Sequence, residues 1–208
     1  AYKPAGIATQ TSRIGQQDMV SELKNYLVKA QKEEMAGKNG KDAVKKQTFQ
    51  EPYLGLVHRL DQPVSGVLVF AKNKKAAADL SNQIPNGTMK KFYYALIYGT
   101  PIRERDTLED YLYKDERNNI SKVVNKDKKN AKLAKLDYEV LAYNEVKNLS
   151  LVRVNLHTGR HHQIRVQLSH AGHSIFGDQK YGTRGQGKQI ALWAYELTIC
   201  LLYTSDAA

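Results

Sequence analysis

The chain of 208 residues is poor in cysteine and has no long apolar segment. Its only cysteine, Cys200, cannot form a disulfide within the chain, and such a composition suits a reducing compartment. No apolar run approaches the ~20 residues that a membrane-spanning helix needs. These absences predict a cytoplasmic protein that does not cross a membrane.

Two motifs of enzyme active sites are also missing. No Gly-x-Ser-x-Gly turn is present, so nothing supports a serine hydrolase of that class. The glycine-rich segment YGTRGQGK, residues 181–188, does not match a phosphate-binding loop, because its Gly-Lys is not followed by Ser or Thr. We interpret it as an ordinary loop.

Acidic residues are few relative to basic ones. The 21 Asp and Glu residues face 32 Lys and Arg residues, which gives a formal net charge of +11. This excess favours a polyanionic partner, most often a nucleic acid, over a merely well-solvated lysine-rich surface. Hydrophobic residues make up 41% of the chain, enough for the core of one large domain or two small ones.

Hydrophobic periodicity predicts more strands than helices. The predicted helices start at Asp18 and cover 74–83 and 161–172, and the predicted strands cover 53–60, 66–71, 90–99, 136–143, 149–159 and 190–199. The polar segment 36–47 is predicted to be a mobile connector. Residues 118–130, the central part of the basic segment 114–135, are predicted to be an exposed hairpin or loop. Because few strand–helix–strand units occur, we predict an α+β fold with a mostly antiparallel, mixed β-sheet flanked by helices.

The segment GLVHRLDQPVSGVLVFAKN, residues 55–73, places Asp61 between two apolar stretches. Burying a carboxylate without a partner costs several kcal/mol. From its residue type alone, Asp61 fits a turn former, a nucleophile, a general base or a metal ligand. Its position therefore indicates either a supported structural residue or a charge with a function.

Five of the six histidines fall within residues 157–173. His157 and His161 are four residues apart, as in helical metal sites, but the Thr-Gly that follows His157 interrupts any helix between them. No cysteine or carboxylate joins the cluster before Asp178. We therefore predict no metal site. The residues alone leave a nucleic-acid enzyme and a nucleic-acid-binding module equally open.

Four separated segments carry a family resemblance. They are KPAG (3–6), HRLD (58–61) followed by SGVLVFAKN (65–73), KFYYALIYG (91–99) and LHTGRHHQIRVQLSHAGHSIFGDQKYG (156–182). Together, and in this order, they resemble the motifs of the RluA-type pseudouridine synthases. The third resembles the family pattern Lys-x-Tyr-x-Ala ending in Gly, and the last resembles the family's most extended motif. Four motifs at compatible spacing are far more specific than any one of them.

This resemblance implies an enzyme that isomerises uridine in RNA to pseudouridine without a cofactor or a metal. It implies a pseudouridine-synthase-like catalytic domain with a central RNA-binding cleft over residues 1–199, incomplete at its N-terminus. Residues 200–208, CLLYTSDAA, match no part of the family pattern and are expected to be a non-native tail. The expected partner is a structured RNA, ribosomal RNA before transfer RNA, and the protein is expected to be monomeric.

The resemblance also assigns roles to individual residues. Asp61 is the expected catalytic carboxylate, Tyr93 the tyrosine that lies against the uracil, and Arg165 the partner of Asp61. Arg59 would fill the space that the target base leaves in its stack. The residues expected to contact RNA are His58, Arg59, Lys91, Arg160, His162 and Gln163.

Asp61 has a local and a distant candidate partner. Arg59 is two residues away and would face the same side of an extended strand. The resemblance favours Arg165, whose guanidinium would stabilise the Asp61 charge in a poorly solvated cleft. We expect the nearest side-chain oxygen and nitrogen of Asp61 and Arg165 to lie within about 4 Å.

Two other functions stay open at this point. A non-catalytic RNA-binding or RNA-folding module would explain the charge, but it would not need the set of Asp61, Tyr93 and Arg165. A metal-dependent phosphodiesterase that uses His and Asp ligands would account for the histidine cluster, and it would lose activity in a chelator.

RNA affinity is expected to fall steeply as salt rises, because a net charge of +11 would act through phosphate contacts. With about five such contacts on a single strand, log K plotted against log salt would have a slope of roughly −3 to −4. Filter-binding titrations over a series of salt concentrations measure the slope. A slope near zero would show that the basic surface is not the face that binds RNA.

Overall fold

The computed structural model describes residues 1–11, 13, 15–37, 50–182 and 187–200. Most of the predicted connector, residues 38–47, lies outside the described residues, as do four residues of the glycine-rich loop, 183–186, and residues 201–208. Among the helices of the described ranges, none is long and apolar enough to span a membrane.

The described chain forms ten strands and three helices. The strands are β1 (Tyr2–Lys3), β2 (Gly55–Leu56), β3 (Ser65–Val67), β4 (Phe70–Ala71), β5 (Lys90–Tyr98), β6 (Arg105–Asp115), β7 (Ile120–Val124), β8 (Lys132–Asn144), β9 (Leu149–Leu156) and β10 (Leu192–Thr198), and the helices are α1 (Met19–Gly37), α2 (Lys74–Gln83) and α3 (Gln163–His170). Eight strands form one sheet in the order β1-β3-β10-β5-β9-β8-β6-β7, and β2 pairs with β4 in a small second sheet. Only β3 and β10 are parallel among these pairs. The predicted α+β fold with a mostly antiparallel, mixed sheet is confirmed.

The main core lies between one face of the large sheet and α3. Alternate residues of β5 are buried on this face, as expected for a strand with one side against a core. Ile164 and Leu168, one helical turn apart on α3, join the same hydrophobic cluster. Leu60 and Val64, which flank Asp61 in sequence, join it as well. The core therefore fixes α3 and the Asp61 segment relative to each other.

The helix predicted from Asp18 is confirmed. α1 begins at Met19, and Asp18 Oδ1 accepts a hydrogen bond from the Ser21 N–H at 2.7 Å, which satisfies one free donor of the first turn. The second predicted helix agrees with α2. The third begins two residues later than predicted, because His162 has a φ of +54°, in the left-handed region outside the helix.

The strand predicted over 53–60 is wrong in extent, because only Gly55–Leu56 pairs with another strand. Leu60 instead exchanges two hydrogen bonds with the side-chain hydroxyl of Thr9. The Leu60 N–H donates at 3.1 Å, and its carbonyl accepts from the hydroxyl at 2.9 Å. A buried side chain therefore replaces a strand partner just before Asp61.

The strand predicted over 66–71 is divided between the two sheets. Its first part belongs to β3 in the large sheet, and its last two residues form β4 in the small one. Between them, the Leu68 N–H donates to the carbonyl of Ala1. A continuous apolar pattern predicts that both strands are buried. It does not predict which sheet each strand joins.

The parallel pairing of β3 with β10 depends on a glycine. Gly66 has a φ of +137°, and a Cβ at this position would lie 2.2 Å from the carbonyl oxygen of Ala194. A side chain at position 66 would therefore collide with β10. This close approach attaches the C-terminal side of the Asp61 turn to the centre of the sheet.

The predicted exposed basic hairpin is confirmed. β6 and β7 pair from Tyr111–Val124 to Asp115–Ile120, and the basic side chains of Arg117 and Lys122 are exposed. α3 packs against both strands. The hairpin and the segment that carries Arg165 therefore share one packing surface.

The predicted tail begins at Cys200, whose backbone is bound to the buried Gln83. The Cys200 N–H donates to Gln83 Oε1 at 2.9 Å, and the Cys200 carbonyl accepts from Gln83 Nε2. Deleting residues 201–208 is expected to leave the melting temperature unchanged. Deleting Cys200 as well would leave Gln83 Oε1 without its donor and Gln83 Nε2 with Asp79 Oδ2 as its remaining acceptor, and would cost about 1 kcal/mol. Thermal melts of both truncations test this, and a large loss from the shorter deletion would show that residues 201–208 pack as structure.

Candidate active site

Asp61 and Arg165 meet although 104 residues separate them. Asp61 lies in the turn before β3, Arg165 lies in the first turn of α3, and Arg165 Nη1 donates to Asp61 Oδ2 at 3.1 Å. The expected contact is confirmed, whereas the local candidate Arg59 is exposed. The Asp61 side chain is 26% exposed and that of Arg165 only 5%. A buried cation therefore supports a carboxylate that remains open to solvent.

Arg165 is shared between two carboxylates. Its Nε and Nη2 donate to the two oxygens of Asp178 at 2.8 and 2.7 Å, and the Asp178 side chain is fully buried. Burial alone would raise the pKa of Asp178, but the bonds from Arg165 outweigh it and hold the pKa below the ordinary 3.8. The bidentate pair fixes the plane of the guanidinium, so Nη1 is aimed at Asp61.

The chain on the other side of Asp61 is anchored by a buried lysine. Lys3 Nζ donates to the carbonyls of Pro4, Ile7 and Gln62 at 2.9, 2.7 and 3.0 Å. Burial lowers the pKa of Lys3 to about 8, and the negative charge of Asp61 partly opposes this shift. The first motif therefore holds the turn that presents Asp61.

Tyr93 lies on the buried face of β5, on the side of the sheet that α3 covers. Its side chain is 6% exposed. Burial raises the pKa of the Tyr93 phenol, and the charge of Asp61 raises it further. The phenol is therefore protonated at neutral pH and lies within electrostatic range of the carboxylate.

Two of the expected RNA contacts, Arg59 and Arg160, are exposed. Arg59 lines a surface pocket of about 290 Å³ with Arg13 and polar side chains of the N-terminal loop. Arg160 Nε donates to the carbonyl of Leu133 at 2.8 Å, which directs this side chain along β8. Both guanidinium groups can reach a ligand from solvent.

Two further expected contacts, His58 and Lys91, are more enclosed. Burial first, and then the positive charge of Lys91, lower the pKa of His58 to about 4, so its ring is neutral. His58 Nε2 accepts a bond from the Val69 N–H at 3.4 Å. Burial, and then the charge of Arg160, lower the pKa of Lys91. Lys91 is thus a poorly solvated cation beside a second positive charge.

Gln163 is engaged within the protein. Its Oε1 accepts from the Thr158 hydroxyl and the Arg160 N–H, and its Nε2 donates to the carbonyl of Lys135 and to Gln167 Oε1. An amide side chain has two donor and two acceptor positions, and all four are used. These contacts hold the turn before α3, and an RNA contact through Gln163 would require breaking one of them.

His162 lies beside Asp61 rather than on the surface. Its Nε2 is 3.7 Å from Asp61 Oδ2, and its Nδ1 is 2.7 Å from the Tyr181 hydroxyl. Burial first, and then the charge of Arg165, lower the pKa of His162 to about 3. The imidazole is therefore neutral at physiological pH.

The other histidines of the cluster do not converge on a common point. His157 Nε2 is 2.5 Å from Asp137 Oδ2, and His161 Nδ1 is 2.9 Å from the Ser121 hydroxyl. Within the residues that the structure describes, no group of three or more His, Cys, Asp or Glu side chains is arranged to hold a metal ion.

A larger pocket, of about 730 Å³, lies away from Asp61 and is lined by residues of β5, β6, β8 and β9. Three of its charged side chains are paired with one another, since Arg105 and Arg153 both bond to Glu139. The lining of the smaller pocket includes Leu60 and Gln62, the two sequence neighbours of Asp61.

Sequence reasoning did not single out three residues that complete the site: Lys3, Asp178 and Tyr181. Their partners are distant in sequence or lie in loops, which periodicity does not report. One signal was present for Asp178. Arg165 lies between Ile164 and Val166 on a predicted helix, and a buried arginine on a core helix requires an acidic partner.

Comparisons with known proteins identify a family for this chain. A family profile described as RNA pseudouridylate synthase matches residues 1–170. The "Uncharacterized RNA pseudouridine synthase YhcT" of Bacillus subtilis (strain 168) is 34% identical over 180 residues, which cover 86% of this chain and 53% of that protein. "Ribosomal large subunit pseudouridine synthase C" of Rickettsia prowazekii (strain Madrid E) is 36% identical over 142 residues, 68% of this chain and 46% of that protein. The chain thus spans about half the length of the curated relatives it matches.

Two human proteins of known structure share the fold. "Human RNA Pseudouridylate Synthase Domain Containing 1" superposes with a TM-score of 0.62 and 28% identity, over 70% of this chain and 63% of that one. "Human RNA Pseudouridylate Synthase Domain Containing 4" gives a TM-score of 0.69 at 22% identity, over 95% of this chain and 79% of that one. The predicted pseudouridine-synthase-like fold is confirmed.

Asp178→Asn is expected to lower the free energy of unfolding by about 3 kcal/mol at neutral pH, because it breaks a buried ion pair. The pKa of Asp178 is depressed in the folded state, so its stabilisation is present above the ordinary 3.8 and is lost as the pH falls through the folded value. The difference between wild type and variant should therefore shrink in acid. Urea unfolding at neutral and at strongly acidic pH measures both quantities.

Asp127→Asn is the matched control, because Asp127 is exposed in the turn after β7. We expect it to change the free energy of unfolding by less than about 0.5 kcal/mol. If both variants lost the same free energy of unfolding, Asp178 would not be the residue that stabilises Arg165. The same conclusion would follow if the difference between wild type and Asp178→Asn grew in acid.

Proposed function

The chain belongs to the RNA pseudouridylate synthase family, and from this premise we propose that it isomerises a uridine of a structured RNA to pseudouridine. The observation that carries the proposal is a partly exposed carboxylate, Asp61, bound by a buried arginine that a second carboxylate holds in place. Ribosomal RNA is the proposed substrate, with transfer RNA second, because the Rickettsia relative bears the name of a ribosomal large subunit pseudouridine synthase.

The reaction exchanges one bond of the nucleoside for another. The bond between uracil N1 and ribose C1′ breaks, the base turns, and uracil C5 joins C1′. A proton leaves C5 and N1 gains one, so atoms and electrons balance without a co-reactant. In this proposal Asp61 acts at C1′, as a nucleophile or as the counter-charge to a developing cation, and both roles need a carboxylate that Arg165 orients.

Tyr93 is proposed to lie against the uracil ring. Its position on the same sheet face as α3 and its interaction with the Asp61 charge support this role. Because the phenol is protonated in the free protein, stacking is the role that needs no change of state. Removal of the C5 proton by this group would first require that the phenol lose its own proton.

The basic residues around Asp61 suit an extruded nucleotide. Arg59 is exposed beside the carboxylate and is proposed to occupy the gap that the flipped uridine leaves. Lys91 and Arg160 form a crowded pair of cations, and a phosphate between them would relieve their repulsion. His58 and His162 are proposed to shape the cleft as neutral rings.

The proposal includes the setting of the reaction. A ribosomal RNA substrate would place the protein in the cytoplasm, where its one cysteine would stay reduced. We propose that residues 1–199 act as the catalytic domain and that a monomer is the active species, because the paired carboxylates come from one chain.

Asp61→Asn is expected to abolish pseudouridine formation while RNA affinity stays within several-fold, because the amide keeps the shape of the side chain and loses its charge. Purified variant and wild type would be compared on RNA from cells that lack the parent gene, with pseudouridine mapped along each RNA. If the Asn variant kept a tenth of the wild-type rate, a barrier change of only about 1.4 kcal/mol, the nucleophilic role would be untenable.

Two controls accompany this experiment. Asp79→Asn removes a carboxylate from α2 whose described partner is Gln83, and we expect it to retain the wild-type rate. Activity that persists in a chelator would exclude the metal-dependent phosphodiesterase. RNA binding by wild type without any new pseudouridine would leave only the non-catalytic binding module.

A further inference from the structure

Tyr181 connects the β6–β7 hairpin to the Asp61 site. Its hydroxyl oxygen accepts a hydrogen bond from the backbone N–H of Ser121 on β7 at 2.7 Å. The same oxygen is 2.7 Å from His162 Nδ1, and the Tyr181 ring lies 5.2 Å from the guanidinium carbon of Arg165. Tyr181 therefore contacts both the hairpin and the two residues that approach Asp61 from α3.

The hydrogen bonds around Tyr181 determine which nitrogen of His162 carries the proton. The backbone N–H of Ser121 can only donate, so it occupies an acceptor position of the phenol oxygen and leaves the phenol hydrogen for His162 Nδ1. Nδ1 then accepts, and the proton of the neutral imidazole lies on Nε2. In the other tautomer the phenol would accept twice and its own hydrogen would lose this partner.

The contact on the other side of the ring favours the same tautomer. His162 Nε2 is 3.7 Å from Asp61 Oδ2, just beyond hydrogen-bonding distance. A protonated Nε2 directs a positive bond dipole at the carboxylate, whereas an unprotonated Nε2 would direct a lone pair at it. Two independent contacts therefore agree that His162 presents Nε2–H to Asp61.

The backbone of His162 is held in an unusual conformation that places the ring there. Its φ of +54° lies in the left-handed region, and its side chain makes no capping bond to α3. A non-glycine residue in this region costs about 1 kcal/mol or more, so the surrounding contacts must compensate. His162 also stacks on His161, with ring centroids 3.7 Å apart, and His161 Nδ1 is 2.9 Å from the Ser121 hydroxyl. Ser121 thus contacts the site through its backbone N–H and its hydroxyl.

We propose that Tyr181 is a positioning residue for the isomerisation, whose hydroxyl, fixed by the Ser121 backbone, holds His162 with Nε2–H facing Asp61. This inference rests on the proposed function. Asp61 Oδ2 then faces the N–H dipole of His162 as well as the charge of Arg165. The His162 side chain comes from the residue before α3, and the Arg165 side chain comes from its first turn. The basic hairpin is thereby linked to the carboxylate through one side chain, so a loss of the Tyr181 hydroxyl should act on the orientation of Asp61 and not on RNA affinity.

The first test measures the tautomer directly. Histidine nitrogen NMR spectra of the wild-type protein, with the His162 signals assigned by their loss in His162→Gln, should show a neutral ring protonated on Nε2. In Tyr181→Phe, which removes only the hydroxyl, this preference should be lost. A wild-type His162 ring protonated on Nδ1 would overturn the proposal, and so would a tautomer that is unchanged in Tyr181→Phe. If the variant does not fold, the tautomer of the wild-type ring still tests the proposal.

The second test separates positioning from binding. Tyr181→Phe is expected to reduce the single-turnover rate of pseudouridine formation by about tenfold through misorientation of Asp61, while RNA affinity changes by less than about twofold. Tyr143→Phe is the matched control, because it removes an exposed hydroxyl that bonds Asn148 at the far end of β8, and it should leave the rate unchanged. Equal rates in wild type and Tyr181→Phe, or a loss confined to affinity, would refute the inference. If the wild type modified no RNA, the proposed function would fail, and the tautomer would still be decided by the spectra.

Discussion

Every other feature of the site depends on the shared guanidinium of Arg165. A buried cation needs a counter-charge before any substrate arrives, because leaving it unpaired would cost several kcal/mol. Asp61 supplies only part of this pairing, since its carboxylate is 26% exposed and open to solvent. The fully buried Asp178 binds Nε and Nη2 of Arg165. Nη1 of the same guanidinium remains for Asp61. The carboxylates of Asp61 and Asp178 together with the Arg165 guanidinium carry one net negative charge. Such a charge would suit the proposed reaction, in which positive charge develops on a ribose.

The position of Asp61 outside any strand is the second constraint. A residue within a sheet faces either the core or solvent by alternation, whereas a turn can direct its side chain along the cleft. Such a turn lacks ladder hydrogen bonds, so side chains must supply them. The Thr9 hydroxyl binds the backbone of Leu60, and the Lys3 ammonium binds the carbonyl of Gln62. The N-terminal segment, which contains the first motif, thus supports the turn that carries the carboxylate.

Local patterns predicted the elements whose stability is local. The cap at Asp18, the alternation of β5 and the basic hairpin all follow from side chains within a few residues of one another. The contact between Asp61 and Arg165 came from the family resemblance, because no periodicity links positions 104 residues apart. The resemblance identified Asp61 and Arg165, but it did not identify Asp178, which holds Arg165 in place.

The errors have a common physical origin, which is that partners distant in sequence decide the outcome. The apolar run 66–71 is divided because its two parts meet different strands, β10 and β2. His162 was included in the helix because its type carries no sign of a left-handed backbone, which the surrounding contacts impose. The RNA contact expected of Gln163 stays a prediction, and the structure adds that its amide shapes the turn before α3. Polar residues in a motif serve the fold as often as the ligand.

The parallel contact between β3 and β10 has a consequence for how the protein becomes active during synthesis. Gly66 beside Asp61 packs against Ala194, so ribosomes must translate about 130 further residues before the Asp61 turn gains this neighbour. Pairings between such distant segments form late, because a long loop must close first. A nascent chain that already exposes its basic hairpin would therefore lack an ordered carboxylate. The proposed chemistry on RNA would begin only when the chain through β10 has left the ribosome.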